Sequence, residues 1–316
     1  MTLPLVTLQG LAPETLRRRI DGRRVAIWGT GPLARDVHTS LTKSGIPVST
    51  FLHDRACGTF LDLPLCAPAQ ALPEKPFVIV AAASYRRAAL DISARYDLER
   101  GRDVLTHLDI ARPHAIVEIA ARNTPAPFHP IARDHAPAFM DVATFTRIVE
   151  KLAAEIPLLT RIGLSLFGDP ETHPDYAAIK SIAERIAPLA EPPGQEPYLM
   201  PYDYMLEYAQ GETIAAPVRA ALQNLPWNVE KALQLARSDH RLPCLSQRVF
   251  PVIRTDGAVV LCHLYDGPVV AENYLETPWA RILQNRHEAS HCARCQDQGL
   301  HRLDLDVLRM RHDIDL

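Results

Sequence analysis

Four cysteines in the last quarter of the 316-residue chain have the clearest capacity for chemistry. Cys292 and Cys295 are separated by two residues, a spacing at which both sulfurs of one turn can bind the same metal. Cys244 and Cys262 stand at the two ends of a predicted β-hairpin, whose antiparallel pairing brings those ends together. Four converging thiolates suit tetrahedral zinc or a cuboidal iron-sulfur cluster equally well. We therefore expect these four cysteines to bind one metal centre.

The hairpin itself is predicted from two short apolar runs, at 249–253 and 258–261. They are joined by Thr255-Asp-Gly257, a sequence typical of a tight turn between two strands. We expect the hairpin and the later cysteine pair to form a small metal-binding module over residues 241–316.

The order of these features resembles a known type of module. The run from Cys244 to Cys262, followed by Cys292-x-x-Cys295, resembles the Twitch or shortened SPASM module, which carries an auxiliary 4Fe-4S cluster in many radical SAM enzymes. The resemblance implies that the metal centre is a 4Fe-4S cluster, with zinc as the alternative. Full SPASM modules continue with further cysteines, but His301 stands where the next is expected and no cysteine follows. One cluster is therefore implied.

The segment before the cysteines resembles the radical SAM core in outline. Residues 117–122 resemble its first strand, and residues 166–175 are similar to its Gly-Glu-Pro segment, which holds the amino group of S-adenosylmethionine. Asp169 replaces the glutamate, and the resemblance makes it a candidate catalytic residue. The loop at 123–130 lacks the three cysteines that bind the family's catalytic cluster. The resemblance thus implies a reduced core, over residues 113–240, that does not cleave S-adenosylmethionine.

A glycine-rich turn near the N-terminus indicates a nucleotide site. Gly29-Thr-Gly31 follows a short apolar strand and precedes a helical pattern, and Asp54 follows the next predicted strand. Such glycines let a phosphate approach a helix N-terminus, and the acid can hold ribose hydroxyls. The turn resembles that of Rossmann-like domains in sugar acyltransferases and methyltransferases. We expect Gly29, Gly31 and Asp54 to bind a nucleotide or nucleotide-sugar, the alternative being a purely structural turn.

The remaining apolar runs predict an α/β fold. Strands at 47–52 and 77–81 alternate with helices, and strands at 114–120 and 161–167 flank a helix that Asp141 can cap. We expect a Rossmann-like parallel sheet over residues 1–112. A reduced βα core, part of a barrel, and then the small β-hairpin iron-sulfur module follow.

Three histidines are further candidates for chemistry. His129 and His135 lie in the loop that replaces the cluster motif, where they can bind metal, act as acid and base, or simply be exposed. His263 directly follows Cys262, so we expect either a hydrogen-bond or proton donor beside the cluster or a surface residue. The predicted catalytic set is Asp169, His129 and His263.

Charge and hydropathy exclude several classes of partner. The formal net charge of -3 provides no broad positive field, so we expect neither nucleic-acid nor membrane binding. No signal peptide and no apolar run of about 20 residues are visible, and a cytoplasmic protein is expected. In that compartment cysteines serve as ligands or core residues rather than disulfides, and Cys57 and Cys66 are expected to be core or loop thiols.

Taken together, the residues predict an iron-sulfur protein with one 4Fe-4S cluster. The favoured hypothesis is an oxidoreductase or lyase of specialised, sugar or amino-acid metabolism, acting on a small molecule without radical SAM cleavage. A partner enzyme or an electron donor is the candidate protein partner. One alternative is a non-catalytic scaffold or electron-transfer partner of another enzyme. Another is a zinc-stabilised enzyme that binds a nucleotide-sugar.

Overall fold

The computed structural model describes the chain in seven stretches, which are 10–54, 58–82, 85–121, 138–166, 168–189, 249–263 and 268–297. The chain divides between Arg112 and Pro113 into two units, each built on its own β-sheet with helices. The predicted α/β fold class is confirmed. The boundary expected at residue 240 lies outside the described stretches. Within them, no helix has both the length and the apolar character needed to cross a membrane.

The first unit is a mainly parallel sheet with helices. Its strands are β1 (Val25–Trp28), β2 (Val48–Leu52), β3 (Thr59–Phe60), β4 (Leu63–Cys66), β5 (Phe77–Val80) and β6 (Val104–Thr106). Its helices are α1 (Pro13–Ile20), α2 (Pro32–Lys43), α3 (Pro68–Ala71) and α4 (Tyr85–Tyr96). The strand order is β3-β4-β2-β1-β5-β6, and only the pairing of β3 with β4 is antiparallel.

Burial explains why these runs form a parallel sheet. Every residue of β5 is buried, as expected for a parallel strand whose two faces are both covered. Helix α2 turns Ala34, Val37 and Leu41 toward the core, at the spacing of one helical face. Pro32 begins that helix, where its missing N–H costs nothing and its fixed φ suits the first turn.

A buried ion pair holds α2 against the end of the first unit. Arg112 and Asp36 are both almost fully buried, and Nη1 of Arg112 lies 3.5 Å from the Asp36 carboxylate. Arg112 also donates through Nε to the carbonyl of His107, at 3.2 Å. The hydroxyl of Ser40 donates to the Ala111 carbonyl. These contacts fix the helix whose N-terminus follows the glycine-rich turn.

The second unit contains a mixed sheet with the strand order β11-β10-β9-β7-β8. Its strands are β7 (His114–Val117), β8 (Arg161–Gly163), β9 (Val249–Ile253), β10 (Val259–Val260) and β11 (Val269–Ala271). Its described helices are α5 (Val142–Glu155), α6 (Tyr176–Ile186), α7 (Trp279–His287) and α8 (Ser290–Asp297). Strand β7 is parallel to both β8 and β9, whereas β10 is antiparallel to β9 and to β11.

The predicted hairpin is confirmed, and it is joined to the βα sheet. Gly257 occupies the turn with φ +84°, a conformation that favours glycine, and its N–H donates to the Arg254 carbonyl. The Asp256 carboxylate accepts the N–H of Ala258. Strand β9 then pairs with β7 in parallel, which the sequence pattern did not predict. The hairpin therefore extends the sheet of the second unit.

Helix α5 forms as its sequence predicts. The carboxylate of Asp141 accepts the backbone N–H of Thr144 and so caps the first turn. Its core face consists of the buried residues Phe145, Ile148, Val149 and Leu152. Strands β7 and β8 are shorter than predicted, ending at Val117 and Gly163 instead of at residues 120 and 167.

A buried polar cluster ties α5 to the segment that precedes α7. Tyr274 is fully buried and donates its hydroxyl to the Glu155 carboxylate, at 2.5 Å. Burial, and then the neighbouring carboxylate, raise the pKa of Tyr274 well above its usual value. The ammonium group of Lys151 donates to the carbonyls of Tyr274 and Thr277, and it lies over the tyrosine ring. The approach to α7 and α8 is thereby anchored to the core.

Replacing Tyr274 with phenylalanine should destabilise the protein by about 1 to 3 kcal/mol, because the Glu155 carboxylate loses its buried donor. Urea unfolding at neutral pH measures this change. Tyr176→Phe is the matched control in the same unit, since Tyr176 begins α6 and is only half-buried. Equal stabilities for the two variants would mean that the buried hydroxyl does not anchor the segment.

Candidate metal centre

Cys262 lies at one edge of the second sheet. Strand β10 runs antiparallel to β9, so the end of β10 lies beside the start of β9. Since β7 and β9 are parallel, their starts lie at this same edge. We call the end of β10 and the starts of β7 and β9 the cysteine edge. Cys262, two residues after β10, is buried there, whereas Cys244 lies outside the described residues.

The cysteine pair is carried by α8. Cys292 and Cys295 are three residues apart in this helix, so both thiols project from the same face. Cys295 is buried and Cys292 is half-buried, and among the described residues no cysteine forms a disulfide. Burial raises the pKa of the Cys292 thiol, and the guanidinium of Arg286 opposes that rise.

The donor set fits a thiolate metal centre in its chemistry. Three of the four predicted ligands are reduced, shielded thiols, the softest donors that proteins provide. Within the described stretches, however, no group of three or more His, Cys, Asp or Glu side chains is arranged to hold a metal ion. The assignment of Cys244, Cys262, Cys292 and Cys295 as ligands stays a prediction.

His263 lies beside Cys262 with its Nδ1 atom buried. That atom has no hydrogen-bond partner among the described residues. Burial, with contributions from His114 and Arg286, lowers the pKa of His263 to about 3. The ring is therefore neutral near pH 7 and offers one N–H donor and one acceptor. A hydrogen bond to a neighbouring sulfur fits this environment better than donation of a proton.

Arg286, which the sequence pattern did not single out, stands in the last turn of α7 at the same edge. Its guanidinium carbon lies 4.0 Å from the centroid of the Phe250 ring, near the start of β9. The ring of Trp279 packs against the same phenylalanine, with centroids 5.3 Å apart. The positive charge of Arg286 contributes to the lowered pKa of His263 and opposes the rise in the pKa of Cys292.

The opposite edge of the sheet carries a different set of groups. Glu118 directly follows β7 and is almost fully buried, and its carboxylate accepts the N–H of Gly168 at 3.2 Å. A Cβ atom on Gly168 would come within 1.6 Å of the Ala120 carbonyl oxygen, so only glycine allows the two backbone segments to lie this close together. Glu118 was not among the residues predicted from the sequence, because the family resemblance did not mark it as functional. The signal that could have identified it is a single acidic residue within an apolar strand.

Asp169 lies at this second edge, where it has a local structural role. It is exposed, and its carboxylate accepts the backbone N–H of Glu171 at 3.0 Å, which caps the 3-10 turn Pro170–Thr172. His173 follows that turn and is buried, with Nε2 bonded to the Met140 carbonyl and Nδ1 accepting the N–H of Asp175. These two contacts assign the proton of His173 to Nε2.

The structure separates the predicted catalytic residues. Asp169 follows β8, whereas His263 follows the antiparallel strand β10, so the two lie at opposite edges of the sheet. A strand of the length of β9 spans about 16 Å, at roughly 3.3 Å per residue. His129 and His135 lie outside the described residues. Asp169 and His263 therefore do not act on the same atom.

The two glycines of the first unit have different surroundings. Gly29 has φ +128° and donates to the Leu52 carbonyl at the end of β2. A Cβ atom there would lie 2.4 Å from the Ala81 carbonyl oxygen. Gly31 caps α2 with φ -89°, is exposed, and has open space where a Cβ would stand. Asp54 is exposed, two residues beyond β2, at the same edge as the glycine turn because β1 and β2 are parallel.

Comparisons with known proteins assign no family. No family model matches the chain, and no curated protein matches it significantly. Among solved structures, the chain is similar to a crystal structure of BtrN in complex with AdoMet and 2-DOIA. The sequence identity is 13% and the TM-score is 0.36, and the match covers 59% of this chain and 87% of that chain. A TM-score this low does not establish a shared fold, so the match assigns neither fold nor function.

Alanine at Gly29 should destabilise the first unit by at least about 2 kcal/mol, because it combines a disallowed φ with a backbone clash. Alanine at Gly31 should destabilise by no more than about 1 kcal/mol, since its backbone is ordinary, its surroundings are open and only the preference for glycine over alanine at an N-cap is lost. Denaturant unfolding of the two variants measures the difference. Equal losses of stability in the two variants would contradict the conclusion that the backbone requires glycine at position 29 but not at position 31.

Proposed function

We propose that the protein is an iron-sulfur protein with one 4Fe-4S cluster, bound by Cys244, Cys262, Cys292 and Cys295. The supporting observation is the environment of Cys262 and Cys292, two shielded thiols beside His263 and Arg286. Buried thiolates need such positive charge and hydrogen-bond donors nearby. The spacing of the four cysteines, which resembles the Twitch module, supports iron and sulfide over zinc.

The proposed role of the cluster is electron transfer. When bound, a 4Fe-4S cluster supplies one-electron oxidation and reduction. Four cysteine ligands leave no open iron position, so a substrate cannot be activated by direct binding to the metal. Among the reaction types expected from the sequence, this ligand set favours an oxidoreductase or an electron-transfer protein over a lyase.

A small-molecule substrate would bind at the opposite edge of the sheet, near Glu118 and Asp169. Ligands of parallel βα structures gather beyond the carboxyl ends of the strands. Glu118 and Asp169 both follow such ends, and a carboxylate there can hold a cationic group of a substrate. The two edges are separated by the length of a strand such as β9, about 16 Å. A substrate at the Glu118 edge would therefore exchange electrons with the cluster without touching it.

Two further interpretations concern a partner enzyme and the first unit. A partner enzyme, rather than this chain, would carry the reaction if no substrate binds at the Glu118 edge. In the first unit, Gly31 and Asp54 are proposed to hold a nucleotide or nucleotide-sugar, which the open space at Gly31 supports. Titration calorimetry with such ligands, comparing wild type with Gly31→Ala and Asp54→Ala, decides whether this unit binds them.

The protein purified without oxygen should be brown and contain about four iron and four sulfide per chain. Serine at Cys262, Cys292 or Cys295 should remove most of the iron, because each thiolate is a ligand. Cys66→Ser is the matched control, since Cys66 belongs to the other unit. Iron and acid-labile sulfide assays, with zinc measured in parallel, give the result.

One equivalent of zinc without sulfide would replace the iron-sulfur proposal by the zinc-stabilised alternative. Full iron content in all three serine variants would contradict the ligand assignment itself.

Reduced protein should not cleave S-adenosylmethionine to methionine and 5′-deoxyadenosine. The loop at 123–130 contains no cysteine, and the four remaining thiolates are assigned to a closed cluster. Incubation with dithionite and S-adenosylmethionine, followed by chromatography, measures 5′-deoxyadenosine. Turnover above that of a variant with all four predicted ligands changed to serine would show that an open iron is present.

A further inference from the structure

Phe139 is an exposed aromatic residue whose backbone is held in place. The residue is 42% exposed. On one side of it, the N–H of Met140 donates to the Ile119 carbonyl at 3.0 Å. On the other side, the Ala138 carbonyl accepts the N–H of Ala121 at 2.8 Å. The ring is therefore exposed although hydrogen bonds fix the chain before and after it.

The ring of His173 packs against the Phe139 side chain. The two rings meet edge to face, with their centroids 5.2 Å apart and an angle of 72° between their planes. His173 is itself buried, and its Nε2 atom donates to the Met140 carbonyl at 2.8 Å. The phenyl ring thus rests on a buried neighbour, while the rest of its surface is available for contact.

Phe139 and Glu118 lie on the same face of the chain beyond β7. Ala120 forms an antiparallel bridge with Phe139, so these two side chains share a face. Glu118 and Ile119 donate their N–H groups to segments on opposite sides, as in an extended strand. Glu118 therefore shares the face of Ala120, two residues later. Diagonal neighbours of this kind lie about 7 to 8 Å apart, within reach of an aromatic ring and a long side chain.

A carboxylate and an aromatic ring on one face indicate a class of ligand. A carboxylate shielded from water binds an ammonium group by a charge-assisted hydrogen bond. An aromatic ring attracts the same cation and also contacts apolar carbon. From the strand itself, only the methyl group of Ala120 stands between the two. One small molecule that carries both a positive charge and an apolar body can contact both.

We infer that Phe139, together with Glu118, binds an organic ammonium ion, that is, an amine carried on a ring or another apolar body. The inference rests on the substrate edge put forward under the proposed function, which assigns only a cationic group. It adds that Phe139 is the residue that selects the apolar body of the substrate.

The experiment uses the full chain, purified without oxygen, and three probes. Phenethylamine carries a ring and an ammonium group, 2-phenylethanol carries the ring alone, and ethylamine carries the ammonium group alone. Saturation-transfer NMR titrations at neutral pH measure their dissociation constants. Phenethylamine should bind the wild-type protein at least about fivefold more tightly than either of the other probes, because it alone uses both contacts.

Four variants separate the contributions. Phe139→Leu should weaken phenethylamine binding about threefold, as expected for loss of a cation–π contact of ordinary strength, whereas Phe139→Tyr should match wild type. Glu118→Gln keeps an acceptor for the Gly168 N–H but removes the charge, so it should weaken phenethylamine about tenfold. Val269→Ala is the matched control, because Val269 is an exposed apolar residue in another strand of the same unit.

Phenethylamine that binds no better than 2-phenylethanol, or binds wild type and Phe139→Leu equally, would overturn the inference. Weaker binding in Glu118→Gln alone would overturn the role of Phe139 and leave the proposed substrate edge in place, whereas unchanged binding in both variants would contradict both. Where Glu118→Gln does not fold, as judged by circular dichroism, the comparison of Phe139→Leu with Phe139→Tyr decides. The iron-sulfur proposal is tested separately, by the iron and sulfide content of the same samples.

Discussion

The parallel pairing of β7 with β9 is the constraint on which the second unit depends. Through it, the hairpin formed by β9 and β10 becomes part of a sheet whose other parallel strand is β8. Parallel strands bring their starts to one edge and their ends to the other, so this pairing decides where each neighbouring loop lies. Cys262 is thereby brought to the edge where β7 begins, and Glu118 to the edge where it ends.

The two edges differ in chemistry because they differ in charge. The cysteine edge combines buried Cys262 and His263 with Arg286, whose positive charge opposes the rise that burial causes in the pKa of Cys292. The opposite edge combines a buried carboxylate, Glu118, with the exposed Asp169, an environment that attracts cations. Between them lie buried apolar side chains of β9 and β10, including Val252 and Val260. An enzyme built this way would separate an electron store from a binding site for a cationic group.

The anchoring of the C-terminal helices is a second requirement for the cysteine edge. Helices α7 and α8 follow β11 in sequence, and their orientation decides whether Cys292 and Cys295 face Cys262. Tyr274, Glu155 and Lys151 join the segment before α7 to α5 through buried hydrogen bonds. Because these polar groups satisfy one another away from water, the segment has little freedom to shift.

The sequence alone determined the features that depend on neighbouring residues. Apolar spacing and caps predicted the parallel sheet, the helix after Asp141 and the hairpin around Gly257, because each is decided by local periodicity and backbone preference. It could not determine the pairing of β7 with β9, which joins strands more than 130 residues apart. Nor could the sequence show that Asp169 and His263 lie at opposite edges of the sheet, because tertiary packing sets the strand order. It also could not show that Arg286 stacks on Phe250, because that contact forms only in the folded chain. Only the folded chain brings those residues to their edges.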